Sequence, residues 1–208
     1  MSPWDEQPIA HVHLPIGPEE VFFDIGAADA NWTIYAAHRG AVVYAFEPSL
    51  PQYKILVENV LRTGGFSQCR LFNIGLDKSD CVRTLQDWYE SFGGPGFEVS
   101  PDCRVRTRFL PMDHFLPELT RLDWIKIDVE GGEFDVMRGG VRTIDKFRPS
   151  FIIENHINMP RIGEAMREAQ TLEHMASFFS SRRYRVFEST CQGTSSRSFI
   201  IAHPQEKT

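Results

Sequence analysis

The sequence predicts a single α/β domain: a doubly wound, mostly parallel sheet with crossover helices and an antiparallel hairpin at its carboxyl end. Three observations carry this. Short apolar runs such as Val42–Phe46 and Phe151–Ile153 alternate with segments of helical periodicity, the mark of strand–helix–strand units. The last two strand-like runs have only a polar loop between them, as antiparallel neighbours do. At roughly 150 residues per domain, 208 residues make one domain rather than two.

Residues 1–20 carry Pro3, Pro8, Pro15 and Pro18 and read as an irregular lead-in to a domain spanning 21–204. Val21–Ile25 is the first strand. A helix follows from about Ala30 to His38, with Asp29 placed to cap it and Gly40 to end it. Val42–Phe46 is the second strand, and the next helix, Leu50–Arg62, stops at Gly64-Gly65. Arg70–Ile74 is the third strand. Residues 75–111 then form a less regular excursion that holds Gly93-Gly94-Pro95-Gly96 and an inserted strand at Val105–Leu110. Pro117 limits any helix before it to Asp113–Leu116. Trp124–Val129 and Phe151–Glu154 are the fourth and fifth strands, with a helix at Glu133–Arg138 between them. Ile162, Ala165, Ala169, Leu172, Ala176 and Phe179 recur at spacings of three and four, which predicts a long amphipathic helix. Arg183–Glu188 and Ser198–Ala202 form the hairpin that closes the sheet.

The composition excludes several classes. Hydrophobic residues make up 42% and charged residues 24%, ordinary values for a globular chain. No apolar run approaches the ~20 residues of a membrane span. With 22 basic against 28 acidic residues the net charge is −6, and the densest basic stretches, Arg104–Arg108 and Arg182–Arg185, are short, so no nucleic-acid partner is expected. Cys69, Cys81, Cys103 and Cys191 contain no C-x-x-C pair, and the acidic start Met1–Glu6 lacks a signal-peptide pattern. A cytoplasmic location is the expectation.

In an open parallel sheet, ligands bind beyond the carboxyl ends of the strands, where the strand order reverses. Asp24, Glu47, Asp128 and Glu154 stand at four such ends. The first turn, Asp24-Ile25-Gly26-Ala27-Ala28-Asp29-Ala30, has one glycine, so the G-x-G-x-x-G spacing that lets backbone amides reach a pyrophosphate is absent. Glu47 lies where an acid grips a ribose diol. The implied ligand has a ribose and no pyrophosphate. S-adenosylmethionine fits, and its sulfonium and ammonium would be drawn to an acidic rim.

Phe23-Asp24-Ile25-Gly26-Ala27, Ala45-Phe46-Glu47-Pro48, Ile125-Lys126-Ile127-Asp128-Val129-Glu130-Gly131-Gly132-Glu133-Phe134 and Ile153-Glu154-Asn155-His156 together resemble the FkbM-type family of S-adenosylmethionine-dependent methyltransferases over roughly residues 20–157. The resemblance implies a seven-stranded, Rossmann-like class I methyltransferase sheet, usually acting on a hydroxyl oxygen of a sugar, lipid or secondary metabolite. It implies that Asp24 and Gly26 line the methionine moiety, that Glu47 holds the ribose, and that Gly75, Leu76 and Asp77 lie beside the adenine. Asp128 is counted with the cofactor contacts as well. Ala28 stands where asparagine is common, and Ala30 where a glycine is usual, its methyl narrowing the backbone's approach to the cofactor.

Methyl transfer to an alcohol needs in-line attack and a base for the hydroxyl proton. Lys126 and Asp128 share one face of a strand, as do Glu154 and His156 on its expected neighbour. His156 is the expected base, with Asp128 and Lys126 orienting the acceptor or base. A structural ion pair of Lys126 with Asp128 or Glu154 is the other reading. Glu130 and Glu133 could each be a site acid or a first-turn acid of a helix, and Glu133 is read as the latter. Glu154, His156, Trp88 and Tyr89 are the expected acceptor contacts, Trp88 and Tyr89 flanking the glycine-rich stretch as part of a lid. Asp128, Glu154 and His156 form a mixed oxygen and nitrogen set that suits magnesium or manganese, but no tight cluster calls for one, and no metal is expected. The partner is a small-molecule acceptor. The rival readings are a nicotinamide-dependent oxidoreductase and a non-catalytic cofactor-binding module of the same fold.

Overall fold

In the computed structural model, which describes residues 14–64, 67–86, 104–155, 172–190 and 198–205, the apolar runs become strands of one sheet. β1 (Val21–Ile25), β2 (Val42–Phe46), β3 (Cys69–Phe72), β7 (Trp124–Ile127), β8 (Ser150–Asn155), β9 (Tyr184–Thr190) and β10 (Ser198–Pro204) lie in the order β3-β2-β1-β7-β8-β10-β9. The first five are parallel, and β10 is antiparallel to both its neighbours. This is the predicted seven-stranded sheet with its carboxyl-terminal hairpin. The last strand does not sit at the edge, however. β10 is slotted between β8 and β9, and β9 is the edge.

Alternation along the central strands sends side chains to two cores. Phe23, Ile25, Phe46, Ile125 and Ile127 pack on one face with Met112, Phe115, Val136, Met137 and Phe179. Phe22, Val43, Ala45 and Trp124 pack on the other with α1 (Asn31–His38) and α2 (Leu50–Arg62). α1 is buried along most of its length, which its Ala36 and Ala37 permit by letting it lie close to the sheet. Its amino end departs from expectation: Ala30, not Asp29, is the cap residue, and Asp29 instead accepts a 2.7 Å bond from the Asn31 side chain.

α3 (Glu133–Arg138) has the predicted bounds, but a further helix, α4 (Val141–Phe147), follows it at once. Gly139 caps the end of α3 and Gly140 the start of α4. In space the Asp113 carboxylate restarts the helix by accepting from the Thr143 N–H and hydroxyl, each at 2.8 Å, and from the Arg142 N–H at 3.2 Å. Asp113 belongs to the first of two single 3₁₀ turns, Met112–His114 and Leu116–Glu118; the first ends before Pro117, and the second holds Pro117 in its opening positions.

The excursion after β3 builds a small second sheet from β4 (Gly75–Leu76), β5 (Cys81–Thr84) and β6 (Arg106–Leu110), in the order β4-β6-β5. The glycine-rich stretch with Trp88 and Tyr89, the start of the long helix before α5 (Leu172–Ser181), and His156 lie outside the described residues. Among the described residues, no helix is long and apolar enough to cross a membrane.

Candidate cofactor pocket

The strand order reverses at β1, which has β2 on one side and β7 on the other. A pocket of about 320 Å³ opens at the carboxyl ends of these three strands, within the size range of small-ligand sites. Ile25, Gly26 and Ala28 line it from the β1 turn, Phe46 to Ser49 from the end of β2, and Asp128, Val129 and Glu130 from the end of β7. The small sheet supplies Gly75, Leu76 and Phe109, Leu85 follows its strand β5, and Gln52 comes from α2.

The β1 turn is shaped by close approach. Gly26 has φ of +78°, and a Cβ there would overlap the Asp128 carbonyl oxygen, so only glycine fits. The N–H groups of Gly26 and Ala27 both donate to the Phe46 carbonyl, at 2.9 and 3.0 Å. Ala28 (φ +44°) and Ala30 (φ +76°) are also left-handed, a region an L-residue enters at a cost of roughly 1–2 kcal/mol. This explains why glycine suits position 30. The Ala30 methyl, however, is fully buried in the core beneath α1 and does not line the pocket.

Glu47 is nearly buried and braces the same turn. Its carboxylate accepts from the Ala28 N–H at 3.0 Å and from the Ser49 N–H at 2.8 Å. Burial pushes its pKa up, and the two backbone N–H groups pull against that shift. A carboxylate has about four acceptor positions. Two are filled by the backbone, leaving capacity for hydroxyl donors.

Below the pocket floor lies a charge network. Asp24 and Lys126 are register partners on β1 and β7, 0% and 4% exposed. The Lys126 ammonium donates to the Gly26 carbonyl at 2.7 Å and lies 3.3 Å from Asp24 and 3.5 Å from Asp128. The other Asp24 oxygen accepts from the Thr33 hydroxyl at 2.6 Å. Burial opposes the Lys126 charge, but Asp24, Asp128 and then Glu154 outweigh it and hold its pKa above the ordinary lysine value. Asp24 and Lys126 thus lie under the turn and do not line the pocket, whereas Asp128 does.

The β7 turn is also left-handed, at Glu130 (φ +57°) and Gly131 (φ +120°). Buried Glu133 accepts from the Gly131 N–H at 2.9 Å and stands in the first turn of α3. Glu130 is not in that helix. It is exposed and lines the pocket, a placement the sequence leaves open because the D-V-E-G-G-E spacing does not reveal which acid turns outward.

Of the residues assigned to the adenine, Gly75 and Leu76 line the pocket and Asp77 does not. Asp77 is buried against Arg83, whose guanidinium sits 4.9 Å above the Phe109 ring, and it also accepts from the Lys78 N–H. Phe109 and Leu85 are wall residues the sequence did not single out. Glu154 is buried on β8 outside the lining. His156, Trp88 and Tyr89 lie outside the described residues. Among the described lining residues, Glu47, Asp128 and Glu130 are acidic and none is basic, a donor set that fits a cationic nucleoside without phosphates.

Solved methyltransferases share this fold. The methyltransferase FkbM from Methylobacillus flagellatus matches with a TM-score of 0.68 at 16% identity, over 97% of this chain and 48% of that one. This chain therefore spans about half the length of that protein. An rRNA methylase from Streptococcus thermophilus matches with a TM-score of 0.57 at 12% identity, over 92% and 90% of the two chains. The O-methyltransferase TomG from Streptomyces achromogenes, solved with its S-adenosylmethionine, matches with a TM-score of 0.57 at 11% identity, over 90% and 74%. At these identities the likeness establishes the fold. No curated protein matches the chain. The sequence profile described as Methyltransferase FkbM domain matches residues 24–186. The chain belongs to this FkbM methyltransferase family, whose cofactor is S-adenosylmethionine.

Proposed function

We propose that this chain catalyses S-adenosylmethionine-dependent O-methylation of a hydroxyl on a sugar, lipid or secondary-metabolite small molecule. The observation that carries the cofactor half of this reading is the pocket lining, with three carboxylates and no basic residue among those described. A dinucleotide's pyrophosphate would meet those acids, which weighs against a nicotinamide-dependent oxidoreductase.

When bound, the cofactor supplies an electrophilic methyl group on sulfur. Glu47 offers its unfilled acceptor positions to the ribose hydroxyls. Leu76, Leu85 and Phe109 give the base an apolar wall, with Gly75 keeping the Phe109 ring close. Lys126 and Asp24 act from below by fixing the Gly26 carbonyl, so their role is positioning. Asp77 acts likewise by tying the end of β4 to Arg83. We assign the base to His156, which follows β8, with Asp128 orienting the acceptor and Glu154, Trp88 and Tyr89 contacting it.

The test is transfer of isotopically labelled methyl to a panel of hydroxyl-bearing small molecules. The expected result is a labelled methyl ether. Cofactor binding with no transfer to any acceptor would favour a non-catalytic module instead. A second reading, methylation of RNA, has one observation in its favour. Arg104, Arg106 and Arg108 are exposed around β6, and of these three only Arg108 has a carboxylate partner, Asp80, among the described residues. It predicts RNA retention that fades steeply as salt rises.

A further inference from the structure

Three carboxylates line the pocket. Glu47 holds the Ala28 and Ser49 N–H groups, and Asp128 shares the Lys126 ammonium. Glu130 differs in both place and backbone. It is exposed at the pocket, and its φ of +57° puts a residue with a Cβ in the left-handed region. Glu133 fixes the turn through the Gly131 N–H. Strain of this kind persists only where the surroundings impose it, and it gathers at ligand clamps. What this backbone achieves is to set an acid beside Asp128 and Val129 in the lining of a pocket that Leu85 and Phe109 also line.

We propose that Glu130 is a specificity-determining residue that reads the charge of the bound cofactor. Its carboxylate favours the sulfonium of S-adenosylmethionine over the neutral thioether of S-adenosylhomocysteine, and so promotes exchange of product for fresh cofactor. This rests on the cofactor reading above. Specificity is a difference of affinities. The two ligands share adenosine, ammonium and carboxylate, so contacts with those groups cancel in the ratio, and what remains is one methyl and one unit of charge. An acid in the pocket lining acts on that remainder.

The experiment is calorimetric titration of the native chain, Glu130→Gln and Glu130→Gly with each ligand, at low and at high salt. Glu130→Gln is expected to weaken S-adenosylmethionine roughly three- to tenfold while leaving S-adenosylhomocysteine within about twofold, the size expected of one partly solvated charge. High salt narrows the difference by screening. Glu130→Gly gives the same change in ratio and also raises the melting temperature of the ligand-free chain, because glycine accepts the left-handed backbone without strain. A purely structural residue would move the melting temperature and not the ratio. Equal weakening of both ligands, or an unchanged ratio, overturns the role of Glu130 and leaves the cofactor assignment standing. Failure of either ligand to bind the native chain overturns both.

Discussion

The turns after β1 and β7 touch at the pocket, Gly26 against the Asp128 carbonyl, yet they use charge differently. Around the β1 turn the acids are consumed by the fold. Asp24 is sealed beneath it with Lys126 and Thr33, and Glu47 spends half its acceptor capacity on Ala28 and Ser49. In the β7 turn the buried acid, Glu133, only steadies the loop, while a left-handed backbone turns Glu130 outward. The contrast teaches that acids at strand ends are not equivalent. One below the rim stiffens the site and is tolerable only while paired, whereas one on the rim faces the ligand space.

The largest effect separates these two classes directly. Lys126→Met leaves Asp24 buried and uncompensated, and is expected to cost about 3–5 kcal/mol in urea unfolding, whereas Glu130→Gln stays within about 0.5 kcal/mol. Similar losses for both would break the comparison. The linkage has a definite sign. With its folded pKa raised, Lys126 contributes its full stabilisation at neutral pH and loses it only as pH climbs beyond the ordinary lysine value and through the raised one.

Gly26→Ala comes next. It combines a left-handed backbone with overlap on the Asp128 carbonyl, and a loss of about 2–4 kcal/mol is expected from the same unfolding measurement.

Glu47→Ala tests the remaining acceptor capacity of that carboxylate. S-adenosylhomocysteine binding is expected to weaken by about 1.5–3 kcal/mol when its charge-assisted bonds are removed. Because burial raises the Glu47 pKa, native affinity declines as pH falls through that value, at a higher pH than an ordinary glutamate would impose. Glu47→Gln abolishes this dependence, and a pH series of titrations shows it.

The smallest effect compares two left-handed alanines. Ala28 is exposed, so Ala28→Gly is expected to stabilise by about 0.5–1 kcal/mol, the relieved backbone cost exceeding the entropy that glycine adds. Ala30→Gly also removes a fully buried methyl worth about 0.8 kcal/mol, so its thermal shift is expected to be close to zero.

The sheet was legible because its signals are local. β1, β2, α2 and α3 have the bounds that apolar runs, proline and glycine predict. α4 was not, because the group that starts it is Asp113, about thirty residues earlier in the chain. Of the small sheet, β6 was legible as the inserted strand at Val105–Leu110, but β4 was not, since it has two residues and owes its existence to β6. β10 lies inside the sheet because it pairs with β8 as well as β9, a choice no hairpin signal encodes. At the site, spacing brought Asp24, Glu47, Asp128 and Gly26 to neighbouring strand ends, but side-chain direction was beyond it. Asp24 and Asp77 turn inward to cations, while Glu130, which the sequence leaves open between site acid and helix-start acid, lines the pocket.

The central claim is that an acidic, phosphate-free groove at the strand-order switch binds an adenosine thioether. Parallel calorimetric titrations of the native chain with S-adenosylhomocysteine and with NAD test it most directly. Binding of the first with micromolar-order affinity and no heat from the second is the expected result. NAD binding with S-adenosylhomocysteine silent would contradict it.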